Sequence, residues 1–218
     1  MENRHENLDG HLAPAGLGHR QSNAGLATLP RLIWARWPSV VGLLALLANI
    51  SDGPDAHLAA LVIILAAMCY LGAAALGFAR AGWLMVGLSI VVVFAAALAG
   101  VDKTVAGLAL GLGVGLYGLV RAPGGRRGEV ALQGVAFLGF SALALSAMLS
   151  QPVLAAYLAA AAALSHCVWD VIHFVRNKVV ERSLTEFCFV LDLGLGGPAA
   201  GRVGTVPRLA LSAEPGSE

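Results

Sequence analysis

Between Leu58 and Val175 the chain passes through five long apolar runs with only short polar breaks between them. About 20 consecutive apolar residues are needed for a helix to cross the hydrocarbon core of a bilayer. The runs Leu58–Ala79, Trp83–Val101, Thr104–Val120, Val130–Leu149 and Val153–Val175 meet that length or come close to it. Leu32–Ile50 makes a weaker sixth, because Arg36 and Pro38 interrupt its first turns. Phe187–Ala200 is shorter and rich in Gly and Pro, which predicts a short seventh helix, a re-entrant hairpin or an interfacial segment. The pattern therefore predicts an all-α integral membrane helical bundle of six transmembrane helices with a short seventh. Its helical part covers residues 31–200, between polar tails expected to be disordered at 1–30 and 201–218.

Charge gives the bundle a direction. Arg4, Arg20, Arg31 and Arg36 precede the first span, and Arg80 follows the second. Arg121, Arg126 and Arg127 follow the fourth, while Arg176, Lys178 and Arg182 follow the sixth. Eleven of the 14 basic residues thus fall on one side, against Lys103 on the other. The positive-inside rule then places the N-terminus in the cytoplasm of a cell whose plasma membrane the chain spans several times.

Composition agrees: 58% of the 218 residues are hydrophobic, 12% are charged, and the mean hydropathy is +0.77. A soluble domain carries about twice that charge. A net charge of +1 gives no reason to expect nucleic acid as a partner. Membrane lipid is expected, with a second copy or a membrane subunit as further partners. The longest connection between spans, Arg121 to Glu129, is a turn, so chemistry has to happen within the membrane or at its cytoplasmic face. The cysteines Cys69, Cys167 and Cys188 sit in apolar sequence without metal-ligand spacing, as buried thiols do. Gly107, Gly111 and Gly115 form a small-residue stripe suited to close helix packing, with a groove or dimer seam as the alternative. His5, His11 and His19 in the first tail are irregularly spaced, which makes a metal site there a poor prospect.

One run carries candidate chemistry. His166, Asp170 and His173 are four and three residues apart, and about 100° per residue places them on one stripe of a helix, with Asn177 following. Each unpaired polar group facing lipid would cost several kcal/mol, so the stripe must face other helices or water. Beyond the next turn come Arg182, Glu186, Cys188 and Asp192. If that segment folds back, Asp192 can reach the level of Asp170 or His166. His166, Asp170, His173 and Asp192 are then the candidate metal ligands, with Zn or Fe as the ion such donors suit, and Glu186 nearby. Gln133 is another polar group in the interior of a span. Three readings stay open: a metal or enzyme centre acting on a lipid, a proton-coupled transporter or relay, and structural polar contacts of an accessory subunit. Asp170 could equally pair with Arg176 or Arg182, and Trp169 could be a belt or packing aromatic. No Walker loop, G-x-S-x-G or H-E-x-x-H is present.

The stretch Leu164 to Leu193, with H-x-x-W-D-x-x-H followed by F-C-x-x-x-D, resembles a pattern in small polytopic bacterial membrane proteins of unknown function. The matching positions are His166, Trp169, Asp170, His173, Cys188 and Asp192. The resemblance covers about 30 residues and implies kinship without an activity. The chain departs from the pattern after Asp192, where the last run turns to Gly and Pro.

Overall fold

The computed structural model describes residues 36–203 apart from 52 and 54, with side chains to residue 197. Among these residues the chain is helical and contains no strand. The helices are α1 (Trp37–Ile50), α2 (Ala56–Leu76), α3 (Ala81–Leu98), α4 (Lys103–Arg121), α5 (Gly124–Met148), α6 (Pro152–Arg176) and α7 (Arg182–Val203). Five of them, α2 to α6, are long and apolar enough to cross a membrane. The helix inside the weak sixth run is 14 residues long, about 21 Å at 1.5 Å per residue, and residues 32–35 lie outside the described residues. The seventh segment is a helix of 22 residues, longer than the apolar run within it. The expected tail from 201 opens as its last turn. Residues 1–35 and 204–218, with His5, His11 and His19, lie outside the described residues.

Local chemistry sets the ends. The Asp55 side chain accepts from the His57 N–H at 2.8 Å to start α2, and Asp102 accepts from the Val105 N–H at 2.9 Å to start α4. Pro152 opens α6 at a position where no backbone donor is needed. Gly77, at φ +81°, closes α2 in the left-handed conformation that Gly adopts without penalty.

Helix α2 is apolar all round and sits in the middle, packed on α3, α4, α5 and α6. The α4 stripe faces inward onto it. Gly107 and Gly115 meet Leu65 and Leu71, Gly111 meets the Phe137 ring of α5, and a Cβ at Gly118 would lie 2.6 Å from the Ala75 Cβ. The glycines are thus interior spacers that let backbones approach. The outward faces are apolar too: Ile90, Val91 and Phe94 on α3, Leu112 and Leu116 on α4, Val168 and Val175 on α6.

Three basic turns gather at one end. Arg80 in the α2–α3 turn pairs with Glu181 in the α6–α7 turn at 3.1 Å, and the Trp83 indole N–H donates to Ser183 at 3.0 Å. The Arg126 guanidinium from the first turn of α5 lies against Gly77. At the opposite end, His57 bonds the Met148 carbonyl at 3.1 Å.

Candidate metal centre

Helix α6 contacts α7 along its length, and the reversal between them takes only residues 177–181. Asn177 caps α6 at φ +49° and Val179 sits at φ +73°, two left-handed residues within one tight turn. His166 and Asp192 lie equally far from Val179 along the chain, so the antiparallel return brings them level. The His166 Nδ1 is 2.7 Å from Asp192 Oδ2 and 3.5 Å from Asp170 Oδ1. From α2, the Tyr70 hydroxyl donates to Asp170 Oδ1 at 2.5 Å. His166, Asp170 and Asp192 are each at most 1% exposed. They offer ligand atoms that all lie within 4.8 Å of one another.

The hydrogen-bond account does not close. His166 Nε2, Asp170 Oδ2 and Asp192 Oδ1 find no partner among the described residues, nor do Gln133 Oε1 and Ser141 Oγ. Buried polar atoms nearly always have partners, because leaving one unmade costs about 1–3 kcal/mol. Charge is unbalanced as well. Two carboxylates flank one imidazole, and even a doubly protonated ring would offset only one of them. An interior sealed from water disfavours the surplus negative charge, so the cluster suits a further proton or a bound cation. One imidazole nitrogen and two carboxylate oxygens are a donor set that fits Zn²⁺, Fe²⁺ or Mn²⁺, and three protein ligands leave a position open.

His173, expected among the ligands, stands outside this cluster. Its Nδ1–H donates to the Trp169 carbonyl at 2.9 Å, and its Nε2 accepts from Gln133 Nε2 at 3.0 Å. Both ring nitrogens are therefore engaged in one fixed tautomer. Gln133 uses the same amide nitrogen to donate to Glu129 Oε1 at 3.1 Å, which its two N–H bonds permit. Glu186 is also elsewhere: it accepts from Ser39 and ties α7 to α1, where Gly42 packs on Phe187 and Val190. Asp170 pairs with neither arginine; Arg182 lies over the Phe174 ring at 5.4 Å. Trp169 is a packing aromatic, with ring centroids 4.7 Å from His173 and 6.2 Å from Phe140. The three cysteines are free, buried thiols.

Tyr70 is the residue that the polar stripe of α6 did not announce. Its signal was the lone phenol inside the most apolar run, since a buried tyrosine hydroxyl needs a partner. Its ring stands edge-on to both histidines, at 5.6 Å from His166 and 4.9 Å from His173. No protein-family model, curated protein or solved structure matches the chain.

Proposed function

We propose that the chain is a polytopic membrane protein that binds a divalent cation, Zn²⁺ or Fe²⁺, at His166, Asp170 and Asp192. One observation carries the reading: three buried residues of complementary donor type converge while one polar atom of each is left without a partner. In this reading α1 to α6 are the six membrane helices, with α7 lying against α6 as the seventh. The arginine-rich end faces the cytoplasm, as the positive-inside rule asks of a plasma-membrane protein. The H-x-x-W-D-x-x-H and F-C-x-x-x-D pattern would then mark kin that share the centre.

Lipid chemistry is the less favoured version, because side chains at most 1% exposed leave an acyl chain or headgroup no contact with the ligands. A proton relay is favoured by one feature, the Tyr70 hydroxyl on Asp170, which links two titratable groups of different helices. Elemental analysis of the detergent-purified chain separates these readings. Near-stoichiometric Zn or Fe, lost in His166→Ala and kept in His173→Ala, is the expected result. A metal-free protein whose proteoliposomes show pH-dependent flux requiring Asp170 would replace the centre with the relay.

A further inference from the structure

We propose that the cation reaches this centre from the arginine-rich end, past Glu129, Gln133 and His173; the proposal rests on the metal-centre reading above. The ligands are sealed, so an ion must travel through protein. A bare ion in an apolar interior is so costly that the way in has to offer polar atoms in succession. Such atoms form a series in one direction, whereas on the other side the unpartnered Ser141 hydroxyl of α5 stands alone, in the turn next to Phe140, whose ring is 4.8 Å from His166. Toward the arginine-rich end, the buried stripe of α6 continues from Asp170 to His173, and the facing stripe of α5 supplies Gln133 and then half-buried Glu129. Toward the other end the same α6 stripe is Ala163, Ala162, Ala159 and Ala155, all buried, opposite Ala144 and Ala147 of α5. Beyond the Ser141 hydroxyl, the described residues of that half offer an ion no buried polar side chain on either stripe.

Gln133 is the central element. Its amide nitrogen is spent on Glu129 and His173, at 3.1 and 3.0 Å, while Oε1 is buried and unpartnered. Gln133 itself is 1% exposed, so this oxygen is an interior acceptor held in place by its own amide group. The two arginines that open α5 are turned away from the way in. Arg126 is turned onto Gly77, and the Arg127 Nε–H donates to the Ala122 carbonyl at 3.1 Å, both at helix C-termini. Glu129 is left as the carboxylate beside the path. Past Gln133, the Tyr70 ring packs edge-on against His173 while its hydroxyl is held on Asp170, so Tyr70 is the side chain whose movement would open the last step.

The test uses the full-length chain in detergent, stripped of metal and reloaded with Zn²⁺ alone against a competing fluorescent chelator. Gln133→Leu should slow loading and release together by about tenfold, in line with losing one buried polar partner, and leave the equilibrium Kd unchanged. Glu129→Cys treated with a membrane-impermeant thiol reagent should block loading in vesicles, whereas Gln151→Cys at the opposite end should not. The route is overturned if Gln133→Leu loads at the unmodified rate, or if the block follows Gln151→Cys instead. Either result, with Zn²⁺ still bound by the unmodified chain, leaves the centre standing. Failure of the unmodified chain to retain Zn²⁺ removes the centre and the route together.

Discussion

The two halves of the inward stripe on α6 make an instructive pair. From Ala155 to Ala163 the stripe is alanine, and it packs against α5 and α2 without a single polar atom beyond the backbone. From His166 to His173 the same stripe carries three ionisable side chains, equally buried, on the same helix and against the same neighbours. Burial is common to both, so burial is not what distinguishes a site. The difference is that the alanine half is complete in itself, while the polar half still has unpartnered atoms and unbalanced charge.

The sharpest way to break that contrast is to remove the imidazole. His166→Ala strands two buried carboxylates, and breaking a buried charge pair in this way costs about 3–5 kcal/mol. Thermal unfolding in detergent, followed by intrinsic fluorescence, should register that loss. Replacing His166, Asp170 and Asp192 together by apolar residues of similar size should recover most of it. Ala163→Leu tests the other half. Its side chain is fully buried, and overpacking there should cost about 1–3 kcal/mol while metal content stays as it was. Tyr70→Phe comes next. It removes the donor to Asp170 Oδ1 at a stability cost of about 1–2 kcal/mol, and it should weaken Zn²⁺ binding about 10–100-fold by titration, since outer partners orient ligands. The smallest effect is at Val179, a β-branched residue at φ +73°. Val179→Gly relieves that conformation but loses partial packing, for a net gain of about 0.5 kcal/mol in the same unfolding assay.

Much of this contrast was written in the chain, and the rest was hidden for physical reasons. Apolar runs reveal where lipid or packing demands hydrocarbon, so α2 to α6 could be read with errors of a few residues. Their ends could not, because backbone hydrogen bonding continues into polar sequence. Helix α5 starts at Gly124 in the arginine-rich connection, although its apolar run begins at Val130. Helix α7 likewise begins at Arg182, before the run at Phe187. His166, Asp170 and Asp192 could be singled out together because periodicity fixes one helix face and a short turn implies an antiparallel neighbour. The fate of His173 could not be read, since it depends on Gln133 of another helix, 40 positions away. Tyr70 was missed for the same reason: its partner is 100 positions distant, and a single sequence carries no trace of that pairing.

The five-residue joint after α6 has a consequence of its own. A chain reversal this short has no slack to absorb an insertion, so the phase of α7 is dictated from its first residue. Adding one amino acid between Asn177 and Glu181 would rotate every later side chain by about 100°, carrying Asp192 away from His166 and turning a neighbouring leucine toward it. Length variation at that joint is therefore the cheapest way for evolution, or an engineer, to take the His166–Asp192 pairing apart without touching either residue.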